Sequence, residues 1–207
     1  MSTIVAVRKG EMACIAADTL TCLGSTKESE KYVASPSKII QVKDSYIAAV
    51  GHASWQHVLK SYFSDRRRKA RFESEEAIFE TLIEMHKVLK DRFFLNPKEE
   101  ESDAFESTQL DGLVANPSGI FGIYSLRSIQ EYTRFYARGT GAHYALGAMF
   151  AVYDEPEMNA EQIARIGIEA SAEFDDGSSL PMDLFTIPLK KSPRAPRRLL
   201  KNYEPRR

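Results

Sequence analysis

The order in which strand-like and helix-like patterns follow one another most restricts the fold of this 207-residue chain. Strand patterns come first, then two helical blocks, more strands, two further helical blocks and a last strand. A doubly wound parallel fold alternates single strands with single helices, so this order argues against it. It favours an α+β protein in which two antiparallel sheets stack face to face and a helix pair covers each outer side.

These blocks follow from hydrophobic periodicity. The predicted strands span 3–8, 12–17, 38–42, 46–50, 110–115, 119–124, 130–137 and 182–189. The predicted helices span 52–64, 73–94, 142–153 and 160–175. Ser74 followed by two glutamates suits the start of the second helix, because negative charge is favoured at the positive end of the helix dipole. Consecutive apolar residues in the first four strands indicate that both of their faces are covered.

Composition narrows the class of protein. The 28 Lys and Arg residues nearly balance 29 Asp and Glu, and 43% of the chain is hydrophobic, as in a folded globular protein. No stretch approaches the ~20 apolar residues of a membrane-spanning helix, and the N-terminus does not have the pattern of a secretion signal. Two cysteines are too few for a disulfide scaffold or a zinc site. We therefore expect a cytoplasmic protein with no membrane partner.

We predict one domain over residues 1–188 and a basic, Pro-rich tail over 189–207. The tail carries eight Lys or Arg residues and a single Glu. A basic tail is compatible with a nucleic-acid arm, but the rest of the chain is acidic and offers no basic face beside it. We expect no nucleic-acid partner, and we interpret the tail as a solvated or packed extension or as a clamp on an acidic neighbouring subunit.

The first candidate for chemistry is Ser2. If Met1 is removed, which a small second residue permits, Ser2 carries a hydroxyl and a free α-amine on one residue. An α-amine has a pKa of roughly 7.7–8.0, so part of it is neutral near pH 7–8. It can then accept the proton of its own hydroxyl, which places nucleophile and base on one residue. Many cytosolic chains begin with Met-Ser, so Ser2 alone is weak evidence.

Two further motifs could support a nucleophile at Ser2. Asp18 ends the second predicted strand and Lys38 opens the next hairpin, so an ion pair between them could hold a positive charge near the amine and lower its pKa. The run Gly139-Thr140-Gly141 lies at a strand-to-helix junction, where glycines permit close backbone approach. This run lacks the GxxxxGK[ST] pattern of a phosphate-binding loop. Taken singly, each motif is equally an ordinary turn.

Together these motifs resemble the proteasome β-type peptidases, particularly the HslV-like branch and its betaproteobacterial homologue. The matching segments are 2–8 (STIVAVR), 16–18 (AAD), 23–26 (LGST), 37–39 (SKI), 50–51 (VG) and 139–146 (GTGAHYAL). The resemblance extends to about residue 187. It implies the four-layer αββα sandwich of the N-terminal nucleophile hydrolases, which agrees with the element order.

By motif position, the resemblance implies that Ser2 is the nucleophile, where the family has Thr. It gives Asp18 the place of the family aspartate and Lys38 the place of the lysine that tunes the amine. Lys31 is a rival for the lysine role, because the loop before position 38 is longer than in HslV. Only Lys38 is followed by a strand pattern.

Further roles also follow from the resemblance alone. Thr140 would support the N-terminal amine, and the backbone N–H of Gly51 would supply the oxyanion hole, which requires a small side chain there. The second acidic position falls on Glu173, with Asp176 as the alternative. The expected substrate-binding residues are Thr19, Thr21, Cys22 and Gly51. The four histidines, His52, His57, His86 and His143, are interpreted as surface or packing residues, and we expect no metal site.

The resemblance implies a self-compartmentalising N-terminal Ser/Thr-type endopeptidase that cleaves polypeptide substrates inside a homo-oligomeric double ring. It needs no cofactor. We expect a tetradecamer, with a dodecamer as second choice, in a bacterial cytoplasm, and leave open whether an AAA+ unfoldase is a partner. One alternative is a proteolytically silent ring that binds or stores a partner. Another is an N-terminal nucleophile amidase acting on small molecules, which would be a monomer or dimer.

Overall fold

The computed structural model describes residues 2–65, 67–97 and 103–190. The strands in these ranges are β1 (Thr3–Lys9), β2 (Met12–Asp18), β3 (Thr21–Leu23), β4 (Thr26–Glu28), β5 (Ile39–Val42), β6 (Ser45–Val50), β7 (Asp111–Asn116), β8 (Gly119–Ile123), β9 (Ile129–Tyr132), β10 (Phe135–Gly139) and β11 (Met182–Pro188). The helices are α1 (Ser54–Phe63), α2 (Glu75–Phe93), α3 (Ala142–Val152) and α4 (Ala160–Phe174). Ser74 caps α2 as predicted, since its hydroxyl accepts the Ala77 N–H at 3.2 Å.

Nine of these strands form two antiparallel sheets that stack on each other, and β3 and β4 form a separate two-stranded hairpin. The four-stranded sheet has the order β10-β1-β2-β11, and the five-stranded sheet has the order β5-β6-β7-β8-β9. Helices α3 and α4 pack on the outer face of the four-stranded sheet, and α1 and α2 pack on that of the five-stranded sheet. The predicted four-layer αββα sandwich is confirmed.

Apolar side chains fill the interface between the sheets. The buried cluster there combines seven branched residues with five alanines, namely Ala6, Ala13, Ala17, Ala48 and Ala115. Alanines are as frequent beneath α3 and α4, whereas larger side chains such as Met85 and Leu89 of α2 cover the five-stranded sheet. The core therefore lies in three layers, one between the sheets and one under each helix pair.

The predicted strand over 130–137 was wrong, because this segment is two strands in different sheets. β9 is an edge of the five-stranded sheet, and β10 is an edge of the four-stranded sheet. At the bend between them, the Arg134 guanidinium pairs with the Asp154 carboxylate and stacks on the Tyr153 ring. Residues 129–138 contain no Gly, Pro, Asn or Asp, so no turn residue marks the break. The β3-β4 hairpin was also not predicted.

Strand register brings the candidate residues to one edge of the sandwich. Thr3 of β1 lies opposite Gly139 of β10, and Ile4 lies opposite Ala17, the residue before Asp18. Ser2 therefore enters the four-stranded sheet between Asp18 on one side and the Gly139-Thr140 turn on the other. Such a position explains why the run at 139–141 contains two glycines.

The described end of the chain follows the sandwich edge. Leu189 N–H donates to the Glu11 carbonyl at 2.8 Å, and Lys190 N–H donates to the Pro117 carbonyl at 2.7 Å. The rest of the predicted basic tail, 191–207, lies outside the described residues. Within the described ranges, no helix is long and apolar enough to cross a membrane.

Gly139 provides a test of the close approach between β10 and the Ser2 backbone. Its φ is +102°, and an added Cβ would lie 1.9 Å from the Ser2 carbonyl oxygen. We predict that Gly139→Ala lowers the free energy of unfolding by about 3 kcal/mol, through left-handed strain and overlap with β1. Urea denaturation at one fixed protein concentration measures it.

The matched control is Gly147→Ala within helix α3. A Cβ at Gly147 meets no atom within 4 Å, so this variant should gain about 0.5–1 kcal/mol from helix propensity. Equal unfolding free energies for the two variants would contradict the predicted contact between β10 and Ser2.

Candidate active site

Ser2 lies at the start of β1, at the end of a cleft of about 270 Å³. It is 8% exposed, and its carbonyl oxygen accepts the Thr140 N–H at 2.9 Å. The cleft is also lined by Thr21, Cys22, Lys38 and Gly51. The residues that sequence reasoning assigned to nucleophile, lysine and oxyanion donor therefore lie around one cavity, although they come from positions 2, 38 and 51.

Asp18 is the fully buried acceptor beneath Ser2. Its Oδ1 accepts the Thr3 N–H at 2.8 Å and the Lys38 ammonium at 2.7 Å, while its Oδ2 accepts the Leu20 N–H at 3.0 Å. Thr3 and Lys38 share one oxygen atom, so the ammonium lies beside the peptide that joins Ser2 to Thr3. The carboxylate thus fixes the backbone beside Ser2 and a positive charge with the same oxygen atom.

Burial dominates the electrostatics of this pair. Burial raises the pKa of the Asp18 carboxyl, against the opposing effects of Lys38 and of the Thr3 and Leu20 N–H groups. Burial also lowers the pKa of Lys38, against the opposing effect of Asp18. Each charge is therefore costly without the other, and removing one partner would leave an unpaired buried charge.

The geometry distinguishes the two candidate lysines. Lys31 is exposed in the turn after β4, whereas Lys38 is 7% exposed and bonded to Asp18. The Gln56 side chain of α1 donates to the Lys38 carbonyl at 2.7 Å, which ties this lysine to the cleft wall. The structure therefore places Lys38, and not Lys31, at the site.

A second network reaches Ser2 from the end of α4, and its carboxylate is Asp175. Asp175 Oδ2 accepts the Thr140 hydroxyl at 2.8 Å and the Ser178 hydroxyl at 2.6 Å. Ser178 Oγ in turn lies 2.7 Å from the Thr3 hydroxyl. The network therefore holds Thr3 and the Thr140 turn, the two neighbours of Ser2.

The predictions of Glu173, and of Asp176 as its alternative, do not agree with this geometry. Both side chains are exposed, Glu173 on the last turn of α4 and Asp176 beyond it. The helix ends at Phe174, and the next residue turns inward because its N–H still bonds to the Ser171 carbonyl at 2.9 Å. This turn directs Asp175 towards the site.

Sequence reasoning missed Asp175 and Ser178, although one signal was present. A carboxylate at a helix C-terminus is disfavoured by the helix dipole. Asp175 occupies such a position, and two hydroxyl donors compensate it. An acidic residue at the C-terminus of a helix, three residues before a serine, can therefore indicate a carboxylate that accepts hydroxyl hydrogen bonds.

Gly51 follows β6 and faces the cleft from the other sheet. The sequence predicted that its side chain must be small, but space does not require this, because a Cβ there would meet no atom within 4 Å. The backbone conformation favours glycine instead, since φ is +97°. Among the described residues, no backbone carbonyl accepts the Gly51 N–H. The backbone conformation therefore leaves a donor at the cleft, as an oxyanion hole requires.

The cleft wall differs in part from the prediction. Thr21 and Cys22 line the cleft, but Thr19 is buried and its hydroxyl donates to the Pro181 carbonyl at 2.8 Å. Thr19 is therefore a structural residue. His52 and His57, interpreted from sequence as surface or packing residues, are exposed and also line the cleft. In the described ranges, no group of three His, Cys, Asp or Glu residues could hold a metal ion.

Known proteins share this fold and much of this sequence. No protein-family model matches the chain. Two structures of Thiobacillus denitrificans BPH, one of them in complex with epoxomicin, are 43% and 44% identical, each over 91% of this chain and over 100% and 98% of theirs. Both have a TM-score of 0.85. The proteasome subunit beta of Nanoarchaeum equitans is 27% identical over 92% of this chain and 94% of its own.

A more distant structure agrees in fold alone. HslV from Trypanosoma brucei superposes with a TM-score of 0.63 at 18% identity, over 90% of this chain and 99% of that one. The Thiobacillus denitrificans relatives exceed 40% identity over almost the whole sandwich, and the archaeal relative covers nearly the same length. The chain therefore belongs to the family of proteasome β-type subunits and their bacterial homologues, with the fold of the N-terminal nucleophile hydrolases.

Proposed function

We propose that this protein is an N-terminal serine endopeptidase with Ser2 as nucleophile. The observation that carries the proposal is the buried Asp18 carboxylate, which binds both the Thr3 N–H and the Lys38 ammonium. This contact fixes Ser2 at the cleft with a positive charge beside it. An ordinary β-sandwich gains nothing from so costly a buried pair, whereas an N-terminal nucleophile needs one.

The reaction proceeds in two halves. The neutral α-amine of Ser2 takes the hydroxyl proton while Oγ attacks the peptide carbonyl, and the Gly51 N–H stabilises the resulting oxyanion. The tetrahedral intermediate collapses to an ester as the C–N bond breaks, and the α-ammonium returns the proton to the leaving amine. Water then attacks the ester with the α-amine again as base, which releases the second product and regenerates the hydroxyl.

Lys38 supports this chemistry through its charge. A nearby ammonium disfavours protonation of the α-amine, so the pKa of the amine falls and more of it is neutral at a given pH. A base is most effective when its pKa lies near the working pH. Asp18 keeps Lys38 in place and holds the Thr3 N–H, while Asp175 and Thr140 support the other side of Ser2.

The substrate proposed for this site is an extended polypeptide. β3 carries Thr21 and Cys22 along the cleft, and in the described part of the chain it pairs with β4 alone. Its other backbone edge can therefore accept an added strand through main-chain hydrogen bonds. The complex of Thiobacillus denitrificans BPH with epoxomicin supports a peptide-like ligand for this family.

The proposal includes the assembly. The relative named as a proteasome subunit supports a homo-oligomeric double ring that encloses the cleavage sites, most simply a tetradecamer, with a dodecamer as second choice. We also propose a cytoplasmic location, polypeptide substrates and no nucleic-acid or membrane partner, and leave open a role for an AAA+ unfoldase. Native mass distinguishes the ring from a small-molecule amidase, which would be a monomer or dimer.

A peptide epoxyketone tests the nucleophile, because this reagent needs the hydroxyl and the free α-amine of one residue. We predict that the purified protein lacks Met1 and gains one inhibitor mass per chain, with loss of peptidase activity. Ser2→Ala should gain no adduct, since the hydroxyl is absent. Intact-mass spectrometry before and after incubation measures both results.

Ser2→Thr is the matched control, since it keeps the hydroxyl and the amine and should still form the adduct. An adduct on Ser2→Ala would contradict the assigned nucleophile. A ring of the expected native mass that loses Met1 but forms no adduct and cleaves no peptide would favour the silent ring that binds or stores a partner.

The two cysteines provide a test of the cleft. Burial raises the pKa of the Cys14 thiol to about 12, so this thiol stays protonated at pH 8, whereas Cys22 is half-buried at the cleft. We predict that iodoacetamide labels Cys22 alone in the native protein and that the labelled protein no longer forms the epoxyketone adduct. Peptide mapping after quenching identifies the labelled cysteine.

Cys22→Ser should resist labelling and still form the adduct, which separates blocking of the cleft from damage to the protein. Labelling of Cys14 at a comparable rate, or an unimpaired adduct on protein labelled at Cys22, would contradict the assigned positions of the two thiols.

A further inference from the structure

The two groups that the proposed reaction brings together belong to different sheets. Ser2 precedes β1 of the four-stranded sheet, and Gly51 follows β6 of the five-stranded sheet. Strand hydrogen bonds hold each group within its own sheet. The sheets themselves meet through apolar side chains, whose packing is not directional. Polar contacts that cross the interface near the site add a directional constraint on how nucleophile and oxyanion donor are aligned.

Two ion pairs cross between the sheets at this edge. The first is Asp18–Lys38, already described. The second joins Arg138 of β10 to Asp111 of β7, with 3.2 Å between Arg138 Nε and Asp111 Oδ1. In the sheet orders, β1 lies between β10 and β2, and β6 lies between β5 and β7. The two pairs therefore flank β1 and β6 on opposite sides.

The register shows how near the second pair is to the site. Arg138 directly precedes Gly139, which lies opposite Thr3, and Thr140 then holds the Ser2 carbonyl. Asp111 lies opposite Val50, the residue directly before Gly51. Arg138 is thus the neighbour of Gly139, whose strand holds the Ser2 backbone. Asp111 is paired with the residue that precedes the proposed oxyanion donor, Gly51.

Aromatic side chains fix the Arg138 guanidinium. Its carbon lies 3.5 Å from the centroid of the Tyr124 ring and 5.8 Å from that of Tyr136. Tyr136 stacks on Tyr132 at 4.4 Å, and the Tyr132 hydroxyl is hydrogen-bonded to that of Tyr124. The Arg138 Nε–H is not directed at an acceptor, so the attraction to Asp111 is ionic and the rings supply the orientation.

Tyr124 does not compete with Asp111 for the positive charge. Burial raises the pKa of its phenol to about 12, so it stays neutral near physiological pH. The Arg138 side chain is 21% exposed and the Asp111 side chain is 39% exposed, so the pair is partly shielded from solvent. A partly shielded ion pair is screened less by salt than a fully exposed one.

We propose that Arg138 and Asp111 are positioning residues, whose ion pair keeps the Ser2 end of one sheet at the separation from Gly51 that the reaction requires. The proposal rests on the proposed function. Neither residue lines the cleft, so they act through the backbone at Gly139-Thr140 and Val50-Gly51. A shift of about 1 Å between nucleophile and oxyanion donor is enough to cost a hundredfold in rate.

A matched control lies at the end of β1 that is remote from Ser2. Arg8 of β1 pairs with Glu131 of β9 at 3.3 Å, with side-chain exposures of 28% and 46%. This pair also joins the two sheets and has similar distance and shielding, but it is remote from Ser2. A merely structural role for Arg138 would give the two arginine variants the same kinetics.

The test compares full-length variants on a fluorogenic peptide. We expect Arg138→Gln and Asp111→Asn each to lower kcat at least tenfold while KM stays within threefold, because the cleft wall is unchanged. The double variant should fall no more than twofold below either single one, and Arg138→Lys should recover at least a third of wild-type kcat. Arg8→Gln should keep kcat within twofold of wild type, even where its Tm falls as far as that of Arg138→Gln.

If the wild type is active and Arg138→Gln and Arg8→Gln have equal kcat values, the positioning role is overturned and the proposed function still stands. A loss in Arg138→Gln that appears only in KM has the same consequence. If Arg138→Gln does not assemble, Asp111→Asn decides by the same criteria, since it removes the pair and keeps the side-chain size. A wild-type protein that forms no epoxyketone adduct and cleaves no peptide overturns the proposed function, and the positioning role falls with it.

Discussion

The buried contact between Asp18 and Lys38 is the interaction on which the site depends. Both charged side chains are buried, Asp18 completely and Lys38 to 9% exposure, and neither charge would be stable there without the other. The same Asp18 oxygen that accepts the ammonium also accepts the Thr3 N–H, so the position of the first strand and the position of the charge are coupled. An apolar pair of similar size would stabilise the sandwich at least as well, which is why the retained ion pair points to chemistry.

The fold makes this contact possible by bringing backbones unusually close. Gly139 and Gly141 leave space for Ser2 and Thr3, and a Cβ at Gly141 would lie 2.4 Å from the Thr3 hydroxyl oxygen. With β1 so near to β10, a single N–H at Thr140 reaches the Ser2 carbonyl. Ser2 is thereby held from Asp18 on one side and from the Asp175 network on the other, so a flexible chain terminus acquires the rigidity that a nucleophile needs.

Much of the fold could be predicted from the sequence because local signals agreed with the tertiary structure. The helix pairs, the first two hairpins and the layered architecture follow from periodicity, and Lys38 could be preferred to Lys31 because a strand pattern follows it. The errors arose where tertiary contacts decide. The bend between β9 and β10 is fixed by Arg134 and its partners on the helical layer, and no local signal marks it. Glu173 and Asp175 both carry a carboxylate, and only the end of α4 determines which one turns inward.

The most direct test of the role given to Asp18 and Lys38 is the pH dependence of epoxyketone labelling at Ser2, in the wild-type protein and in Lys38→Met. The rate should rise with pH as the α-amine loses its proton. Because Lys38→Met removes a positive charge beside the amine, we predict that the midpoint moves to higher pH and that the plateau rate falls. A variant with the midpoint and plateau of the wild type would show that the buried pair supports the fold alone and takes no part in activating Ser2.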